Sequence, residues 1–365
     1  MSTFTANAFA QELDPGSLDA EMELKDPRWA QFYNVRLGAG YNDNVLRSRF
    51  VDQTSPLTFA EFDAIVVLLP KDGLDFNVFV TGQDIRYLGP GSSDNDQSFI
   101  TVASVTQEIG KDWVVGLQSQ YVYLNQVFDI SASLLDLGNI KSQLHQGGAT
   151  PSIRRNLPNK SWLELDFEIR RSEFLAPAGD EWEVGPSLSY GREYGRRSEW
   201  KLSYERLRRT ADDSNSFDVT GGLIPGTTLT RNQHELEFRI RHYWDKARRW
   251  RTSTKLEARF NKNSGSTFFD YNRYQISQEI QYRDTKWELR SKASFNFYSY
   301  VSRTVSATNS EKRKRNRLNV ESRIQRKISN RWMLFAQHEL EFANSNRVSD
   351  DYTANVVIGG IEWEY

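Results

Sequence analysis

The side chains that could perform covalent chemistry are few and scattered. The four histidines, His145, His234, His242 and His338, show no spacing that would gather them around a metal ion. His145 and His234 sit beside segments read below as external loops, where a surface hydrolase would place its site, and His242 and His338 fall on a lipid-facing parity. There is no Gly-x-Ser-x-Gly elbow and no glycine-rich phosphate loop or dinucleotide fingerprint. Cysteine is absent, which removes thiolate metal sites, Cys nucleophiles and disulfides together. The expectation is therefore no enzyme, no catalytic residue, no metal and no cofactor. A hydrolase built from a Ser and a His on distant strands is the distant alternative.

What the chain does carry is charge at every second position. Arg251, Ser253, Lys255, Glu257 and Arg259 alternate with Thr252, Thr254, Leu256, Ala258 and Phe260. Glu288, Arg290, Lys292, Ser294 and Asn296 alternate with Leu289, Ser291, Ala293, Phe295 and Phe297. Such a period of two belongs to a strand with two unlike faces. The charged face gives lumen-lining candidates: Arg251, Lys255, Arg259, Arg290, Lys292, Arg317 and Arg323, with Arg239 and Arg241 beside them. Their acidic counterparts are Glu61 and Asp63, then Glu164, Asp166 and Glu168, with Glu339 and Glu341 later. A basic wall facing an acidic one would set a transverse field that sorts small charged solutes. The plainer reading is cross-strand ion pairing that neutralises a polar interior, and Glu257, Glu279, Glu288 and Glu321 interleaved among the cations favour it.

The elements that must position these charges are long strands. Reading the alternation through gives strands near 31–43, 56–69, 74–87, 97–109, 112–125, 146–157, 161–173, 182–193, 198–209, 231–244, 248–261, 268–282, 286–300, 313–327, 331–344 and 351–365. Short turns alternate with longer polar connections at 44–55, 88–96, 126–145, 210–230 and 301–312. Short turns lead into tryptophan at Trp113, Trp162, Trp200, Trp250, Trp287 and Trp332, so these indoles are expected to form a belt at one membrane interface. The expected fold is all-β: a closed antiparallel transmembrane barrel of about sixteen strands, with short periplasmic turns and longer extracellular loops.

Composition agrees with that reading. Hydrophobic residues make up 38%, charged residues 26% and aromatic residues 13%, with ten Trp and sixteen Tyr. Mean hydropathy is −0.66 and the longest apolar run is Ala64 to Leu69, which excludes a spanning helix of about 20 residues. A barrel escapes that test, because only alternate side chains meet lipid. A soluble propeller is the competing architecture, since the Trp-bearing turns recur at roughly blade-like spacing. Against it stand the strand lengths and the charges on the face a blade would bury. The net charge of −1 offers no pull toward nucleic acid.

Segment 1–28 reads as a signal-peptide remnant, with Ala8-Phe9-Ala10 as the small-x-small site, plus a short periplasmic segment; 29–365 reads as the barrel. The last strand alternates Val357, Gly359, Ile361, Trp363 and Tyr365, and Trp363 with Tyr365 resembles the C-terminal signal read by the barrel-insertion machinery. Gly40-Tyr41-Asn42-Asp43-Asn44-Val45 resembles the Gly-Tyr-x-Asp-Asn-Val opening of a broad group of Gram-negative outer-membrane barrels. That group includes the barrel of surface lipoprotein assembly modifiers and barrels of exopolysaccharide systems. Pro151 to Leu165, with Arg154, Arg155, Leu157, Trp162 and Glu164, resembles the group's middle. Members often carry a tetratricopeptide segment first, and only about 30 residues precede the first strand here, fewer than one 34-residue repeat.

The resemblance implies an outer-membrane location and envelope export partners for polysaccharide or surface lipoprotein. The residues themselves imply a porin-like channel for small hydrophilic solutes, with no nucleic-acid partner. Two local expectations complete the reading. Ile130, Leu134, Leu135, Leu137 and Ile140 are apolar enough for the 126–145 connection to fold into the lumen or pack as an external cap. Lys312, Arg313, Lys314 and Arg315 could meet lipopolysaccharide phosphates at the outer rim, or be a solvated rim of charge.

Overall fold

The computed structural model describes residues 29–50, 53–89, 95–129, 139–175, 179–195, 197–218, 220–306 and 308–365. Sixteen strands follow in order: β1 (Trp29–Asn42), β2 (Ser55–Lys71), β3 (Leu74–Tyr87), β4 (Asn95–Ile109), β5 (Trp113–Asp129), β6 (Asn139–Leu157), β7 (Ser161–Phe174) and β8 (Glu181–Tyr194). The second half comprises β9 (Ser198–Ala211), β10 (Thr230–Tyr243), β11 (Trp250–Asn263), β12 (Tyr271–Arg283), β13 (Trp287–Thr304), β14 (Lys312–Lys327), β15 (Trp332–Ser345) and β16 (Tyr352–Glu364). Each strand pairs antiparallel with its sequence neighbours, and β1 pairs with β16, so the sheet closes. Closure leaves no unpaired strand edge, a condition for any sheet immersed in hydrocarbon.

The period-two pattern decides which face points out. On β7 the exposed apolar residues are Leu163, Leu165, Phe167 and Ile169, while Glu164, Asp166 and Glu168 alternate with them and turn inward. A one-residue slip would put three carboxylates into lipid, so the register is strongly specified. The same apolar exterior recurs on β11, β12, β15 and β16, with Leu256, Ile276, Leu334 and Ile361 among its exposed members. Such a continuous greasy surface is what a membrane-spanning barrel presents to acyl chains.

The β1–β16 seam is built with particular economy. Gly38 lies opposite Gly360, and a Cβ on Gly360 would meet the Leu37 carbonyl at 2.1 Å, so only glycine lets the backbones approach this closely. Below it, Tyr33 and Tyr365 exchange backbone hydrogen bonds of 3.0 and 2.9 Å. Above it, the Gly40–Val45 motif acts as a clamp. The Asn355 amide and side chain donate to the Asp43 carboxylate at 2.6 and 2.7 Å, and the Asn44 side chain donates to the Thr353 carbonyl at 2.9 Å.

Two sequence expectations need correction here. The third long connection is 130–138, because β5 and β6 run on in register to the pair Asp129–Asn139. Ile140 is therefore a strand residue, paired with Phe128, whereas Ile130, Leu134, Leu135 and Leu137 lie outside the described residues. Ser142, Gln143 and His145 read as loop, yet the ladder carries them. The second correction concerns Trp162. It shares the inward parity of Glu164 and is 6% exposed, whereas Trp113, Trp250, Trp287 and Trp332 are 40–46% exposed on the outer face. Trp200 also faces outward, packed between Tyr190 and Phe238. Trp162 is not part of the belt because its turn, Pro158–Lys160, delivers the chain one residue out of phase with the others. The inward indole fills the space left by Gly191 and lies under the Arg154 guanidinium at 4.5 Å. Residues 1–28 lie outside the described residues.

Candidate functional site: the charged inner wall

The inward faces of β5 to β14 enclose a cavity of about 420 Å³. Arg251, Lys255, Arg259, Arg290, Lys292 and Arg317 line it, and so do Glu164, Asp166 and Glu168. Arg239 and Arg241 line it as well. Glu61, Asp63 and Arg323 stand elsewhere on the inner wall, beside the seam, where Arg323 lies 3.5 Å from Glu61.

Basic and acidic residues interleave along this wall. Glu279 receives Arg251 at 2.8 Å and Arg290 at 3.0 Å, bridging β11, β12 and β13. Lys255 sits between Glu237 at 2.8 Å and Glu257 at 2.9 Å. Arg259 meets Glu235 at 2.5 Å and Glu257 at 3.3 Å, and Arg273 bonds the same Glu257 carboxylate. Across the cavity, Arg170 is held between Glu168 and Glu183, and Arg209 reaches Glu183 at 2.5 Å. Carboxylate oxygens of Glu235, Glu237 and Glu257 come within 4.8 Å of one another, but each is already held by one of these cations. That group belongs to the ion-pair mesh.

The register adds a feature that strand-by-strand reading missed. Lys201, Arg239 and Lys255 lie directly opposite one another on β9, β10 and β11. Glu205 faces Glu235, Glu237 faces Glu257 and Arg259 faces Arg273. Like charges directly opposite destabilise a sheet. Here the compensation is diagonal, between rungs of opposite sign stacked along the barrel axis. Finding this from sequence requires the register of three consecutive hairpins. Lys201, Glu205 and Arg209 are harder to assign because β9 carries charge on both faces, with Arg206 and Arg208 outward and Leu207 inward, and Glu183 stands on the neighbouring β8.

The external mouth is narrowed by the first long connection. Arg47, in left-handed backbone conformation at φ 49°, donates to the Val127 carbonyl at 3.2 Å and approaches Glu341 at 3.4 Å. It thus spans from β5 to β15 across the mouth, and Glu341 beside it holds the guanidinium above its ordinary range. Val45 from the same connection packs on inward Leu57, Phe59, Tyr87, Phe335 and Ile358.

The basic run at the start of β14 is divided by parity. Arg313 is fully buried and forks onto Asp350 at 2.9 and 2.5 Å, and Arg315 is buried over the Tyr352 ring at 6.0 Å. Only Lys312 and Lys314 are exposed, so the expected four-residue rim of charge is half that size. The histidines all face outward. His145 bonds Tyr121 Oη at 2.9 Å, His234 bonds Tyr204 Oη at 2.7 Å, and His242 bonds Tyr194 Oη at 3.2 Å. His338 shares the outward parity of Leu334 and Ala336.

No protein-family profile matches the chain, and no curated protein matches it in sequence. Its fold is found among solved structures. OccAB4 of Acinetobacter baumannii is 7% identical, with 93% of this chain and 99% of that one covered at a TM-score of 0.52. OmpT of Vibrio cholerae is 10% identical, with 94% and 99% covered at a TM-score of 0.49. The chain is an all-β, sixteen-stranded closed barrel of the outer-membrane type, and its apolar exterior is the surface such a barrel turns to the lipid of that membrane.

Proposed function

We propose that the protein is a porin-like channel for small hydrophilic solutes. The observation that carries this reading is the polar inner wall around a cavity of about 420 Å³ inside a closed barrel. A barrel of about sixteen strands is wide enough to hold an aqueous path. The inward arginines Arg170, Arg209, Arg259 and Arg273 are at most 7% exposed, so the wall side chains fill much of the interior and leave a narrow path. Narrowness favours small solutes over polymer. Alternating rungs of charge give a permeating ion successive partners, strong enough to admit it and paired enough to release it.

Purified protein in planar bilayers should give a steady open current without any partner. Reversing Arg251, Arg290 and Arg317 to Glu should shift reversal potentials toward cation preference. A barrel that stays closed until a second protein is added would refute the channel and favour partner-dependent export.

A further inference from the structure

Nearly all inward arginines on the wall are ion-paired, whereas several on the outside are not, and two of these stand close together on one strand. Arg206 and Arg208 on β9 alternate with buried Leu207 and Arg209, and both are exposed on the face that carries Trp200, Leu202 and Tyr204. Neither has an ion pair or a side-chain hydrogen bond among the described residues. Some other exposed arginines are ion-paired: Arg171 has Asp212 at 2.6 Å and Asp180 at 3.3 Å, and Arg249 has Asp245 at 3.0 Å. Arg155 and Arg326 lie over the Trp113 and Trp287 rings, and Arg192 stands singly on β8.

Their height is informative. Strands tilted as in such barrels climb about 2.5 Å per residue along the axis. Arg206 and Arg208 therefore stand about 15 and 20 Å beyond the Trp200 indole, near the top of an apolar band about 25 Å tall. Register neighbours confirm that the band reaches this level: Arg208 pairs with Val184, which pairs with exposed Ile169. A long cationic side chain there must run up along the wall to the headgroups. What it meets on the protein is uncharged or weakly basic, since its β10 partners are His234 opposite Arg206 and Asn232 opposite Arg208. The adjacent carboxylates Glu205 and Glu235 point into the barrel.

We infer that Arg206 and Arg208, with Asn232 and the Tyr204–His234 pair beside them, form a binding site for the phosphate of a phosphorylated lipid of the outer leaflet. Two guanidinium forks on the outer face of one strand match a phosphate's oxygens, and the apolar band below takes the acyl chains. The site lies about four strands from Lys312 and Lys314, the lysines left exposed at the start of β14.

The test uses the whole barrel in detergent micelles, titrated with fluorescent lipid A in its bisphosphorylated and dephosphorylated forms. Wild type should bind the phosphorylated form at least about tenfold more tightly, as the loss of charge-assisted bonds would predict. Arg206→Gln/Arg208→Gln should bring both forms to the weaker value, Arg206→Lys/Arg208→Lys should keep most of the preference, and Lys312→Gln/Lys314→Gln should leave it unchanged. Heat-modifiable gel mobility identifies variants that fold. Equal binding of both lipids by wild type overturns the proposal, as does a folded Gln variant that keeps the preference or its loss in the Lys312/Lys314 variant.

Discussion

Replacing Arg36 should weaken the closing seam more than any single change on the outer face. Arg36 on β1 contacts Glu61 at 2.5 Å and Asp63 at 3.0 Å on β2, and Glu362 at 3.3 Å on β16. The side chains of Arg36 and Glu61 are 11% and 12% exposed, and that of Glu362 is 2% exposed. At an effective dielectric of 20, each contact near 3 Å is worth about 5 kcal/mol of gross attraction, most of it offset by desolvation. Taking the cation away leaves three carboxylates together. Arg323 then serves Glu61 from 3.5 Å, and among the described residues only the Asn34 and Gln325 amides serve Glu362. Removing one partner from a buried ionic group costs about 3–5 kcal/mol. Arg36→Gln should therefore lower the unfolding free energy by that amount in urea titrations of vesicle-reconstituted barrel. A double-mutant cycle with Glu362→Gln should return a coupling of about 1–3 kcal/mol. A single-variant loss within about 0.5 kcal/mol of zero, or a coupling that small, would refute the assignment of the seam to this cluster.

Further consequences can be measured independently. Bromine-labelled lipids should quench Trp250, Trp287 and Trp332 but not Trp162, and Trp162→Ala should cost about 3–5 kcal/mol as a cavity-forming change while Trp250→Ala costs much less. Arg47→Ala should raise single-channel conductance by opening the mouth between β5 and β15. Asp284, in the β12–β13 turn, accepts from Tyr282 Oη and from the Lys286 and Trp287 amides, each at 2.7 Å, which holds its carboxyl below the ordinary range. Its folded-state value is depressed, so the turn's contribution is present above about pH 4 and fades as pH falls through the lowered value. Exchange of the Lys286 and Trp287 amides should speed up over that acid window, and Asp284→Asn should remove the pH dependence.

Strand number and facing were legible because the signal is redundant. Leu289 to Phe297 and Thr252 to Phe260 repeat one alternation, and a slip in either would bury charge in lipid. Ends of strands were less legible, since Asp129, Asn139 and Gln143 carry no local mark of pairing; the ladder from neighbouring residues extends over them. Trp162 shows the limit of motif counting. It follows a short turn like the other five, but a three-residue turn of different geometry inverts its face. The site was legible as a list of inward charges and illegible as a pattern. Lys201, Arg239 and Lys255 become one rung only when two hairpin registers are known, and Arg47 reaches Glu341 only through the path of a loop.

The seam between β1 and β16 joins residues more than 300 positions apart, such as Asn34 and Glu364. Every other pairing links neighbouring strands, so the wall can grow hairpin by hairpin as an open, curling sheet. In that order the final join comes last, and it is the pairing of greatest sequence separation. Until then both terminal strands are naked, and Tyr365 has no Tyr33 to bond. A chain shortened by even a few residues at its end would thus stall as a sheet with two sticky margins, a form more prone to polymerise than to span.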